Sequence, residues 1–262
     1  MTSTDYIEPD RHARTGGLRA VFGNAWSKSI ENAAGEHDQG ASIVLAVLFE
    51  IEAWRPWLDE AMRLLSQAEC ERVRRKRHAS DRDELVLAYA LHRLVLGNFL
   101  SCDPVEIALE RDSLGRPFVQ GNLVDTSLSH TQGAIAVAVS PQGFVGIDIE
   151  PAGRAVELPG IASSVMHPAE VEALSCLPEE VRAQALLALW VRKEALLKAS
   201  GIGLMREMPT FKAPVGQPLG LPAADGTEGA VATLHMLEAG PLWVAAIAAL
   251  PDARIQASWL FP

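Results

Sequence analysis

At 262 residues with 48% hydrophobic content, the chain can bury one large core or two small ones. Its formal charge of -10 argues against general nucleic-acid binding, which needs a basic face to neutralise phosphates, so any polyanion it binds must find a local basic patch. Cys70, Cys102 and Cys176 lie far apart with no Cys-x-x-Cys, which suggests neither a disulfide framework nor a zinc site and fits a reducing compartment.

Residues 1–40 are polar and glycine-rich, with Asp5, Glu8 and Asp10 where a signal peptide carries positive charge and an apolar run. They are expected to form a loosely ordered extension. Ser42 to Phe49 is a β-branched, apolar run that reads as a buried strand, and Ala53 to Leu58, with two tryptophans and Pro56, reads as a turn or short helical connection. Two helix starts follow, each with a serine cap: Ser66-Gln67-Ala68-Glu69, and Ser80-Asp81-Arg82-Asp83 with aspartate for the usual glutamate. The second helix presents Leu85, Ala88, Leu91, His92, Val95 and Leu96 on a broad apolar face and should be central to the first half's core. Leu85 to Leu100 is also the longest apolar segment, and His92 and Arg93 interrupt it, so no membrane span is expected and the protein should be soluble and cytoplasmic. Between the two starts runs Arg72-Val73-Arg74-Arg75-Lys76-Arg77-His78, six basic or potentially basic side chains in an otherwise acidic protein. Such a run is usually a solvated helix face, although arginine forks also match phosphate geometry.

Asp112 to Pro117 reads as a turn leading to a strand at Phe118-Val119, and Asp125 to His130 leads into a strand from Ala134 to Val139. His130 alone is an ordinary loop or core histidine, and the other histidines show no metal-ligand spacing. Pro141-Gln142-Gly143 is the expected hinge, dividing the chain into halves at 41–142 and 143–262. In Val145-Gly146-Ile147-Asp148-Ile149-Glu150-Pro151 apolar and acidic residues alternate, so on a strand Asp148 and Glu150 share a face about 6–7 Å apart, close enough to hold one cation between hard oxygens. A solvated acidic edge strand fits the same pattern. A long helix is expected from Pro178 to Ser200, closed by Gly201. On it Trp190, Glu194 and Lys198, at i, i+4 and i+8, form one stripe. Alone, that stripe is an exposed acid-base pair stabilising by about 0.2–0.5 kcal/mol. A loop-rich stretch and two strands, Ala230 to Leu237 and Leu242 to Leu250, complete a second half that echoes the first: helix, loop, hairpin.

Several chemistries fail on their motifs. Gly201-Ile202-Gly203-Leu204-Met205-Arg206 lacks the third glycine of a dinucleotide fingerprint and follows a helix, no Gly-x-x-x-x-Gly-Lys-Ser/Thr occurs, and no Gly-x-Ser-x-Gly elbow is present. A glycosidase using Asp148 or Glu150 with Glu194 remains chemically possible, but it gives Lys198 and the basic run no role.

Gly146-Ile147-Asp148-Ile149-Glu150 followed some forty residues later by Trp190-x-x-Lys193-Glu194-Ala195-x-x-Lys198 resembles the two motifs of the 4'-phosphopantetheinyl transferases of the surfactin-synthetase-activating type. Gly115-Arg116-Pro117 and Ser127-Leu128-Ser129-His130 resemble two shorter family motifs in the same order, bringing the likeness to roughly residues 60 to 250. The resemblance implies an α/β (α+β) fold of two similar halves related by a pseudo-twofold, each a small sheet packed on a long helix, with the active site in the cleft between them. It implies Mg2+-dependent transfer of phosphopantetheine from coenzyme A to a serine of an acyl or peptidyl carrier protein by a monomer that binds neither nucleic acid nor membrane. Asp148, Glu150 and Glu194 are then the metal ligands, Glu194 and Lys198 the catalytic groups, and Arg72, Arg75, Arg116, Ser129 and His130 the coenzyme contacts. The sequence departs from the family at Glu84, where an arginine is usual, and Arg82 is the candidate substitute. A non-catalytic module binding carrier protein or coenzyme A is the rival, and it would tolerate loss of the metal ligands, whereas all three acids are present.

Overall fold

The structure is a computed structural model, and it describes residues 17–31, 42–121 and 123–262. The described strands are β1 (Ile43–Glu50), β2 (Leu109–Arg111), β3 (Pro117–Val119), β4 (Asp125–Thr131), β5 (Ala134–Ser140), β6 (Val145–Pro151), β7 (Leu219–Pro222), β8 (Glu228–Leu237), β9 (Trp243–Ala249) and β10 (Arg254–Trp259). Two helices of 22 residues each, Ala79–Leu100 and Glu179–Ser200, are the long elements. The class is mixed α/β, as expected. One four-stranded sheet runs β10-β1-β5-β4 and the other β6-β9-β8-β7, with β2 and β3 as a separate ribbon. Each half is built on the same unit: a strand, the long helix, then a hairpin whose second strand pairs antiparallel with the first strand, as β5 does with β1 and β9 with β6.

Period-two alternation decides the layers. From β1, Leu45, Val47 and Phe49 face the Ala79–Leu100 helix, joined by Ile135, Val137 and Val139 of β5, while Val44, Ala46 and Leu48 face the other way. There they meet Ala134, Ala136 and Ala138, then Val145, Ile147 and Ile149 of β6 and Ala245, Ile247 and Ala249 of β9. So many alanines let the two sheets approach closely and form one inner core. The opposite face of β9, Ala246 and Ala248, packs with Leu234 under the Glu179–Ser200 helix. By parity Gly146, Asp148 and Glu150 also turn toward that helix.

Three expectations change. Within residues 1–40, expected to be loose, Leu18–Trp26 is a helix continued by a π-helical turn at Ser27–Glu31. Leu18, Phe22 and Trp26 recur at i, i+4 and i+8 and bury, Phe22 lying with ring centroids 6.2 Å from Phe49 and 5.7 Å from Trp54, so this helix belongs to the first core. Residues 1–16 and 32–40 lie outside the described residues. The helix expected to start at a Ser80 cap begins at Ala79 with His78 as N-cap and no side-chain cap, whereas the Ser66–Glu69 capping box forms in full. β10, absent from the sequence reading, returns to the first sheet and pairs parallel with β1, so the chain after 143 does not stay in one half. Among the described residues no helix is long and apolar enough to cross a membrane.

Candidate active site

β6 lies against the Glu179–Ser200 helix more closely than a side chain would allow. A Cβ on Gly146 would sit 2.1 Å from the carbonyl oxygen of Ala195 and 2.3 Å from the amide nitrogen of Ala199, so only glycine fits. Two residues on, Asp148 is buried and its Oδ1 accepts a hydrogen bond from Lys198 Nζ at 2.7 Å. The lysine therefore pairs across to the strand, and the Asp148 and Glu194 motifs meet at this contact. Glu194 lies one helical turn earlier. Burial pushes its carboxyl up from the usual range, the charge of Asp148 pushes it further, and Lys198 and Arg154 oppose the shift.

β4 runs beside β6 at the junction of the sheets, and its odd-numbered side chains bridge the two. Val145 N donates to Asp125 Oδ2 at 2.9 Å, Ile147 N donates to Ser127 Oγ at 3.1 Å, Ser129 Oγ donates to Asp148 Oδ1 at 2.7 Å, and Thr131 Oγ1 donates to Glu150 Oε2 at 3.1 Å. Side chains here stand in for a strand ladder, satisfying the edge of β6. The sequence reading passed over this seam, although the oxygen-bearing residue at every second position from Asp125 to Thr131 carried the signal. Ser129 and His130, read together as coenzyme contacts, point to opposite faces: Ser129 orients Asp148, and His130 lines a recess of about 440 Å³ with Lys76, Ser80, Asp81 and Glu84.

Arg154 is a second residue the sequence reading missed. It ion-pairs with Glu150 and lays its guanidinium over the Trp190 ring, 4.7 Å from the centroid. Lys193, matched as part of the motif, is fully buried. Its ammonium donates to the carbonyls of Val165 (2.8 Å), Met208 (2.7 Å) and Phe211 (2.7 Å) and pairs with Glu170 at 2.6 Å, pinning two loops to the helix one residue before Glu194. That role is structural.

The remaining candidates separate. Arg72 is half-buried and Arg75 exposed on the helix Gln67–Arg74 and its C-cap, and among the described residues neither is hydrogen-bonded or ion-paired through its side chain. Protein atoms crowd the His130 ring although the residue is exposed. That crowding first, and then the positive charges of Lys76, Lys198 and Arg111, hold its pKa below the usual histidine range. Lys76 is the basic side chain lining the recess, beside the acids Asp81 and Glu84, while Arg111 lies over the Tyr89 ring and donates to the carbonyl of Gly115 at 2.7 Å. Arg82 spends its guanidinium on the carbonyls of Lys76 and Arg77, both at 3.0 Å, capping the basic run. Arg116 lies at the far end of the seam, where its Nη2 meets Asp125 Oδ2 at 2.5 Å beside Gly201.

Among the described residues no three His, Cys, Asp or Glu side chains are gathered as a ready-made metal cluster. The donor chemistry nonetheless suits a hard cation. Asp148 Oδ2 is buried with no hydrogen-bond partner, and Glu194 has no hydrogen bond or ion pair among the described residues. Residues 144–221 match the sequence model of the 4'-phosphopantetheinyl transferase superfamily. The chain is 28% identical to the 4'-phosphopantetheinyl transferase HetI of Nostoc over 60% of this chain and 71% of that protein. It is 30% identical to a phosphopantetheinyl transferase of Thraustochytrium over 62% of each. A third relative, the L-aminoadipate-semialdehyde dehydrogenase-phosphopantetheinyl transferase of Schizosaccharomyces pombe, is 26% identical over 59% of this chain and 67% of its own length.

Proposed function

We propose, from the match of residues 144–221 to the 4'-phosphopantetheinyl transferase superfamily and from the named relatives, that the chain is a member of it and transfers 4'-phosphopantetheine from coenzyme A to a serine hydroxyl of an acyl or peptidyl carrier protein, releasing 3',5'-ADP, with Mg2+ as cofactor. The observation that carries this reading is the contact of Asp148 with Lys198 beside Glu194, which joins two motifs 50 residues apart at one point. Asp148, Glu150 and Glu194 would hold the metal, which when bound supplies neutralisation of charge on the diphosphate. Glu194, whose pKa burial raises, is also the candidate to take the proton of the carrier serine, directly or through a water. Ser129 keeps Asp148 oriented, and Lys198, paired with Asp148 at 2.7 Å, would place its ammonium where charge develops on the leaving phosphate. Arg72, Arg75 and His130, with Arg116 farther along the seam, hold the phosphates of the coenzyme. We propose a monomer acting in the cytoplasm, a setting the three free cysteines suit.

The test is incubation of the purified chain with coenzyme A, Mg2+ and a panel of apo carrier domains, read by mass. Addition of one phosphopantetheine to a carrier serine, lost on chelation of the metal, is the expected result. A chain that binds coenzyme A yet modifies no carrier would support the non-catalytic module instead.

A further inference from the structure

The acidic group at the site carries its own cations. Asp148 is paired with Lys198, and Glu150 with Arg154, so three carboxylates, counting Glu194, face two internal positive charges. Arg154 and Glu150 are 28% and 13% exposed, so their attraction is only partly screened by solvent. Both oxygens of Glu150 are engaged, one by Arg154 and the other by Thr131. Among the described residues the three acids are not gathered as one ligand cluster. The charge of Arg154 also reaches Glu194. Its guanidinium has a second resting place, the face of Trp190, which holds it at the site whether or not Glu150 is released.

We propose that Arg154 is an internal counter-ion that competes with the divalent cation for Glu150, so that uptake of the cation is an exchange and Arg154 sets its affinity. The inference rests on the metal reading above and concerns a positioning residue, since Arg154 acts through Glu150. An exchange of this kind keeps the acids from repelling one another in the cation-free chain, and it ties release of a guanidinium beside the site to arrival of the metal.

The experiment is a Mn2+ titration of the full chain without coenzyme or carrier, with free Mn2+ followed by its electron paramagnetic resonance signal. Arg154→Gln should bind Mn2+ about tenfold more tightly than the wild type, because a partly exposed ion pair no longer competes. Arg154→Lys, which keeps the charge but loses the planar fork, should fall between them and also serves if Arg154→Gln does not fold. In a Glu150→Gln background, Arg154→Gln should change the affinity little. Wild-type binding that Glu194→Gln abolishes but that Arg154→Gln and Arg154→Lys leave unchanged or weaken overturns this proposal alone. No Mn2+ binding by the wild type or Arg154→Gln overturns it together with the metal reading.

Discussion

Arg93 and Lys198 each reach from the long helix of their half to a carboxylate, and they end in opposite situations. Arg93 is buried; its Nε meets Glu69 Oε2 at 2.7 Å, and its Nη1 donates to the carbonyls of Pro104 and Ile107. Glu69 Oε2 in turn accepts the Ser66 amide that completes the capping box, so the pair is closed and has nothing left to offer. Lys198 meets Asp148 at the same 2.7 Å, but Asp148 Oδ2 remains buried and unpartnered, as does Trp190 Nε1 nearby. A buried polar atom without a partner costs about 1–3 kcal/mol, a cost that a bound ligand can relieve. The first pair is architecture that positions the basic helix. The second leaves one buried acceptor, Asp148 Oδ2, unpaired.

That contrast can be broken by substitution. The largest effect is expected on transfer: Asp148→Ala and Glu194→Gln should each lower it by a factor of about a thousand or more, and Glu194→Gln should leave the melting temperature near or above that of the wild type, because the carboxylate removed has no hydrogen bond or ion pair among the described residues and its charged form is disfavoured by burial. Retained turnover in both variants, in the carrier assay, would dissolve the site. Arg93→Met should instead cost about 3–5 kcal/mol in chemical denaturation by stranding Glu69, with activity per folded molecule kept. A loss below about 1 kcal/mol would show that the closed pair is not structural. Gly146→Ala should cost about 3 kcal/mol and lower transfer as well, since β6 must move off the helix and separate Asp148 from Lys198. Wild-type denaturation midpoints would mean that the close approach is relaxed in solution. The smallest effect belongs to the basic run: Arg72→Ala with Arg75→Ala should raise the coenzyme A requirement about tenfold, and its 3'-dephospho analogue's less, in initial-rate measurements. Equal changes for both would make the run a solvated face.

Much of the fold was legible because its periods are local. The Ser66 capping box, the Gly201 stop with φ +71°, and the strand from Val145 to Pro151 all follow from residues within a few positions of one another. The helix at Leu18–Trp26 was legible too and was passed over because polar neighbours diluted a three-residue apolar stripe. β10 was not legible, since its partner β1 lies more than 200 residues away and nothing local selects it.

By itself the sequence determined which side chains could do chemistry: the alternation that sets Asp148 and Glu150 on one face, and the helical stripe of Trp190, Glu194 and Lys198. Tertiary structure alone decided their partners. It took Lys193 out of the site and into four buried contacts, turned Ser129 away from His130 and onto Asp148, and placed Arg154 between Glu150 and Trp190. The reason is physical. A residue's face is set by the backbone geometry of its own few neighbours, whereas the group it meets depends on sheet order and on how closely two elements approach, which at Gly146 is decided by the absence of a single methyl group.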